Sequence, residues 1–355
     1  MSSFKNILVL ALAAGLFGAT DAYQVGVENR TLEQIHAAAL TEGGIVTLWH
    51  GGDEANQVDG LKTAFEAKFP GMTLNLTADL SKYIDGRVDQ QLAGDNVFVD
   101  TIMLQTLHDF PRWKAEGALM NYKPLGFNEL YPEFKDADGA YTGMSVFGWS
   151  NIWNTNFVTN PPKEYTDYLK PEFKDKLVIT YPNDDDAVLW QFDLIIKKYG
   201  WKWFDDLLLQ NPRWVRGTAT AVGLIMSSNG TYVATFGSGI GLNAFGPLGI
   251  SFPTESNFTS WSQTGAILKK APHPEGAKLL HSWMLSLERQ NGGAWSPRRD
   301  ANAPANFPAI KDMPATDPAA FLPWMEDRAA VERLRFLVED KIGSAQGLSP
   351  LIDDL

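Results

Sequence analysis

The stretch "GGIVTLWHGGDEANQVDGLKTAFEAKFPGMTLNL", Gly43 to Leu76, decides the fold class. Ile45 to Trp49 form a largely apolar run bracketed by glycines, the length and flanks of a buried strand. Val58, Leu61, Phe65 and Phe69 then recur at helical spacing until Pro70 and Gly71 stop them, and "MTLNL" starts a second strand. Working outward, a helix carries Tyr83, Val88 and Leu92, "VFVDTIML" (97–104) gives a third strand, and Leu32 to Leu40 form a helical lead-in. Alternating strands and helices predict a mostly parallel sheet flanked by helices.

The alternation returns downstream. Leu177 to Thr180 predict a strand, Ala187 to Tyr199 a helix stopped by Gly200, and "RWVRG" a short strand. Thr218 to Ser228 follow as a helix expected to be capped by its own hydroxyl, then "YVATFG" as a strand. Between the two blocks lies the aromatic segment "YTGMSVFGWSNIWNT" (141–155), and after the second, Ile250 to Lys270 read as extended. Two α/β lobes joined by two crossings are therefore expected. The division is residues 1–22 as a signal peptide, 41–145 as the first lobe and 146–245 as the second. Residues 246–355 return to the first lobe and add C-terminal helices, with Trp324 to Val338 on the outside.

The bulk properties bound the function. A chain of 355 residues with 45% hydrophobic and 20% charged residues is globular, and its formal charge of -12 disfavours nucleic acid and anionic membrane surfaces as partners. The first 22 residues carry one Lys, an apolar stretch from Ile7 to Phe17 and small residues before a cut after Ala22, the pattern of a secretory signal. Read as a membrane anchor, that stretch falls short of the roughly 20 residues a bilayer needs. No second long apolar run follows, so no membrane insertion is expected. Zero cysteines removes disulfides and thiolate chemistry, leaving stability to the core. Sequons at Asn29, Asn75, Asn229 and Asn257 number four, against about two expected from composition, and point to a secreted glycoprotein; a bacterial periplasm is the other setting.

Four segments in order resemble the extracellular solute-binding proteins of ABC importers with the type II periplasmic binding fold, in the cluster of ferric-iron, thiamine and polyamine binders. They are the opening stretch, "PKEYTDYLKPEFKDKLVITYP" (162–182), "NPRWVRGTATAVGLIMSSNGTYVATFGSG" (211–239) and "GAILKKAPHPEGAKLLHSWMLSLERQ" (265–290). The resemblance implies a non-catalytic monomer that closes on one small-molecule ligand, with an ABC permease as partner if the source is bacterial. It further implies ligand contacts from Trp49, His50, Gly51, Gly52, Asp53, Asp79, Leu80, Gln105 and Thr106 in the first lobe. The second lobe would offer Asp184, Asp185, Asp186, Gly217, Thr218, Ala219, Gly237 and Ser238. Ferric binders of this kind carry adjacent tyrosines after the strand that here ends "YVATFGSGIGL", and this chain has none there, so no bound iron is expected.

Each candidate has a structural alternative. Asp184 to Asp186 start a helix, where one acidic residue suffices as cap, so the run either only caps or also faces a cation in the cleft. A carboxylate cluster there would repel oxyanions and attract an amine, which makes the expected ligand cationic or zwitterionic. Trp49 and His50 end a strand between glycines and belong either to a binding loop or to core and surface. Trp149 and Trp153, at the first crossing, either reach a ligand or are buried. The histidines show no metal-ligand grouping, and no nucleophile elbow, phosphate loop or dinucleotide fingerprint occurs, so neither metal nor cofactor is expected. Two other functions stay open: a secreted enzyme using cleft carboxylates and His50 as acid and base, and a binding-protein fold repurposed in a eukaryotic secreted protein.

Overall fold

The computed structural model describes residues 25–352, so the expected signal segment, 1–22, lies outside the described residues. In chain order the elements begin with α1 (Leu32–Glu42), β1 (Ile45–Gly51), α2 (Asp59–Lys68), β2 (Thr73–Asp79) and α3 (Ser81–Ala93). There follow β3 (Thr101–Leu104), α4 (Asp109–Ala115), β4 (Thr142–Gly148), β5 (Ser150–Asn154) and β6 (Val178–Thr180). Next come α5 (Asp186–Tyr199), α6 (Trp201–Leu209), β7 (Arg213–Val215), α7 (Thr218–Ser227) and β8 (Ala234–Ser238). The chain ends with β9 (Leu248–Ser251), β10 (Ser260–Ile267), α8 (Pro274–Met284), α9 (Leu287–Gln290), α10 (Phe321–Glu326) and α11 (Arg328–Ile342).

The first lobe holds one sheet in the order β2-β1-β3-β10-β4, with β10 antiparallel to its neighbours. In the second, β6 and β7 form a parallel pair, and a single parallel bridge from Leu177 to Ala234 sets it beside the β8-β5-β9 sheet. The order becomes β7-β6-β8-β5-β9, with β5 antiparallel to β8 and β9. The two lobes thus repeat one plan. Each receives an antiparallel strand directly after the chain leaves the other lobe: β5 follows β4 through the single residue Trp149, and β10 follows β9 through residues 252–259. Because β9 still pairs with β5, the second lobe's sheet runs to Ser251, past the expected division at 245.

Apolar spacing explains the layers. Val46, Leu48, Phe65, Phe69 and Leu74 pack on one face of the first sheet with Leu279, Leu280 and Trp283 of α8. Ile84, Val88, Phe110 and Trp113 of α3 and α4 cover the other face. In the second lobe Phe192, Ile195, Trp203, Phe204 and Phe236 form the core. The C-terminal segment is two helices, broken by Asp327, which caps α11 by accepting from the Ala330 amide. Phe321, Met325, Val331 and Val338 join that second-lobe core, so these helices buttress α5.

Candidate functional site

A cavity of about 350 Å³ lies between the lobes, in the size range of small-molecule sites. Its walls come from the carboxyl ends of strands, where α/β sheets present loops and helix starts. Gly51 ends β1 and Gly52 and Asp53 follow it, Gln105 and Thr106 follow β3, and Leu80 leads into α3. From the second lobe come Asp184, Asp185 and Asp186 after β6, and Gly217 and Thr218 after β7. Trp149, only 4% exposed, stands at the first crossing and meets Trp261 of β10 edge-on at 5.4 Å, while Phe147 stacks on Trp261.

Asp53 links the lobes. Gln57 Oε1 accepts from its amide at 2.7 Å and fixes the loop, while Asp53 Oδ2 accepts from Thr218 N (2.6 Å), Thr218 Oγ1 (2.6 Å) and Ala219 N (3.2 Å). The cap expected from Thr218's own hydroxyl is therefore supplied by the other lobe. Gly217, with φ at +79°, takes a left-handed turn that L side chains resist and that places Thr218 as the first helical residue. A helix N-terminus is the ordinary seat for an oxyanion, and here a carboxylate of the chain itself fills it.

The aspartate run is divided among three tasks. Asp184 meets Lys82 of α3 at 2.7 Å and Arg216 at 2.9 Å, and Arg216 also donates to Tyr83 across the cleft. Asp185 caps α5 by accepting from Ala187 N (2.7 Å) and Val188 N (3.0 Å). Burial, together with the nearby Asp53 charge, pushes its carboxyl up to about 7. Asp186 is gripped by Arg328, at 2.7 Å, and by Arg335, both from α11. The reading of this run as a cation receptor is corrected: two of its carboxylates already hold the chain's own cations, and the third is committed to a helix cap.

The opposite wall differs. Asp85 lies four residues after Ser81 and three after Lys82 on α3, which brings all three to the cavity. Ser81 Oγ accepts from Gln105 N at 3.0 Å, which ties α3 to the loop after β3. In that loop Thr106 is 6% exposed and its hydroxyl has no hydrogen-bond partner, nor has His108 Nδ1. Burial holds His108 below its ordinary value, so the ring is neutral at pH 7. Asp85 is pushed up to about 7 by burial and by the adjacent Asp109 carboxyl.

Six expected contacts stand back from the cavity wall. Trp49 packs edge-on against Phe98 at 5.5 Å, and buried His50 makes a 2.7 Å contact from Nδ1 to Gly51 O. Their strand was expected to end at Trp49, yet β1 continues to Gly51, so both side chains sit on a covered sheet. Asp79 turns to its own neighbourhood, accepting from Leu80 N and pairing with Arg87 at 2.5 Å. Ala219 contributes only its amide to Asp53, Ser238 Oγ donates to Thr218 O, and Gly237 lies behind Gly239, which does reach the cavity. Trp153 packs into the second-lobe core. Sequence reasoning missed Asp85, His108, Trp261, Arg328 and Arg335. The i, i+3, i+4 face of α3 could have revealed Asp85, whereas the arginines lie some 140 residues from the aspartate they hold, a separation of 142 for Arg328.

No protein-family model matches the chain, and no curated protein matches it in sequence. Solved structures do. Iron-bound HitA from Pseudomonas aeruginosa superposes with a TM-score of 0.63 at 17% identity, over 83% of this chain and 99% of its own. AfuA from Actinobacillus pleuropneumoniae, with exogenous fructose-6-phosphate bound, gives 0.65 at 16% over 85% and 99%. The substrate-binding protein of an ABC transporter from Agrobacterium tumefaciens gives 0.69 at 14% over 86% and 97%. The fold is thus the two-lobed type II fold of periplasmic binding proteins, as the sequence resemblance implied.

Proposed function

We propose that the protein is a secreted, non-catalytic solute-binding protein that captures a small cationic or zwitterionic ligand between its lobes and closes by hinge motion at Trp149 and at residues 252–259. The observation that carries this is the cavity itself, walled by both lobes and spanned by polar links from Asp53 to Thr218, Lys82 to Asp184 and Tyr83 to Arg216. A ligand touching both walls gains its full contact set only in the closed form, and that differential affinity drives closure. The charge of the lining supports a cation: Asp184 and Asp186 are balanced by Lys82, Arg216, Arg328 and Arg335, and Asp53 and Asp185 cap helices, which leaves Asp85 unbalanced at the cavity. Filling of the α7 N-terminus by Asp53 disfavours phosphate or sulfate there. An acid–base enzyme fits less well, since His50 does not line the cavity. In a bacterial source the partner is an importer permease, and the protein acts as a monomer. A secretory route suits the four sequon asparagines, all exposed, and among the described residues no helix is long and apolar enough to cross a membrane.

Thermal-shift screening against amines, amino acids, sugars and oxyanions, followed by small-angle scattering, tests this reading. Saturable stabilisation with a smaller radius of gyration and unchanged ligand is expected. Chemical conversion of the bound compound, or no stabilisation by any class, would overturn it.

A further inference from the structure

The aspartate run and the α3–α4 wall border one cavity, and its nearby cations are already engaged. Lys82 is held by Asp184 at 2.7 Å and Arg328 by Asp186 at 2.7 Å. Arg112 of α4 is held by Asp89 at 3.0 Å and Asp109 at 2.8 Å. Asp53 and Asp185 each cap a helix. Among the described lining carboxylates this leaves Asp85 with neither a cationic partner nor a helix start; its Oδ1 accepts from the adjacent Gly86 amide, and its carboxyl shares a hydrogen bond with that of Asp109. The same wall presents two further acceptors without partners. Thr106 is buried beyond nine-tenths with a free hydroxyl, and His108 turns Nε2 toward Asp109 at 3.9 Å while Nδ1 is unpartnered. Gln105 also lines the cavity, its backbone N–H donating to Ser81 Oγ. An unpartnered buried acceptor is stabilised by a donor brought to it, and Thr106 and His108 both line the cavity.

Resting on the reading above, we infer that the ligand is an amphipathic organic cation: its protonated amine or amidinium docks on Asp85, flanked by Thr106 and His108, with an apolar body against Trp149 and Trp261. The acceptor set suits an ammonium, which donates three hydrogens and accepts none. Trp149 and Trp261 both line the cavity and offer it an apolar surface. A consequence follows from the carboxyl pair. Asp85 is pushed up to about 7 by burial, Asp109 and, more weakly, Asp89, so near neutrality it holds a proton in part of the population. A docking ammonium favours the ionised form, and that proton leaves for solvent as the cation binds.

Titration calorimetry with three probes of one shape tests this: 2-phenylethylammonium, neutral 2-phenylethanol and anionic 3-phenylpropanoate, at pH 7 in two buffers of different ionisation heat. The cation should bind at least about tenfold tighter than the other two, a difference of about 1.4 kcal/mol, with proton release. Asp85→Asn should weaken the cation about tenfold or more, leave the alcohol unchanged and abolish proton release, and Thr106→Val should weaken the cation several-fold. Circular dichroism melting checks that each variant is folded. Equal affinity for alcohol or anion, or full cation affinity in Asp85→Asn, would overturn the inference. Were the alcohol or the anion to close the cleft on its own, solute capture would stand and only the cation seat would fall. If no probe and no member of the wider screen binds, both fall.

Discussion

Asp186 and Asp85 border the same cavity from opposite lobes, and each is an aspartate on a helix, yet their surroundings treat them in opposite ways. Asp186 receives two arginines from α11 and is a structural clamp between α5 and the C-terminal helices. Asp85 receives another carboxyl, Asp109, and no cation. The difference teaches that the number of carboxylates at a cleft says little about its appetite for cations. What matters is how many remain unbalanced after the chain's own cations have chosen partners, because a satisfied buried pair has little left to offer a ligand.

The comparison can be broken most forcefully at the clamp. Asp186→Ala removes the carboxylate that Arg328 and Arg335 share and leaves them only that of Glu332, and because the cluster is part-buried the urea midpoint should fall by the equivalent of about 2–3 kcal/mol. A loss under about 1 kcal/mol would mean that solvent already screens this pair, and the contrast with Asp85 would collapse. A smaller effect is expected at the bridge between the lobes. Asp53→Ala removes the carboxylate that caps α7, at a cost of about 1–2 kcal/mol, and should shift the ligand-free molecule toward a wider cleft in small-angle scattering. An unchanged scattering curve would assign closure to the other links.

The mildest test uses pH. Asp85 and Asp185 are both pushed up to about 7 from the ordinary aspartate value of 3.8, so the folded state keeps their protons to higher pH than the unfolded chain does. Their contribution to stability is full below the unfolded value and is lost as pH rises toward about 7. Denaturation midpoints should therefore decline over that interval, less steeply in Asp85→Asn and in Asp185→Asn. Parallel slopes in wild type and both variants would place the titration elsewhere.

Much of the architecture was legible along the chain. The β1–α2–β2 stretch, the Gly200 stop after α5 and the crossing at Trp149 are written in periodicity and turn chemistry, which act over a few residues. The end of β1 was misjudged by two residues, enough to move Trp49 and His50 from an expected loop onto a covered sheet. The cap of α7 was also misassigned, because the Thr218 hydroxyl is a plausible local cap whereas the actual acceptor, Asp53, lies 165 positions earlier.

By itself the sequence determined the two α/β lobes, the order of their elements and the cavity's place at the strand ends, since these follow from local apolar spacing and chain breaks. Only the tertiary structure decided which carboxylates are spent and which is left. Lys82 reaches Asp184 from 102 positions away and Arg328 reaches Asp186 from 142, and Coulomb attraction depends on distance through space rather than along the chain.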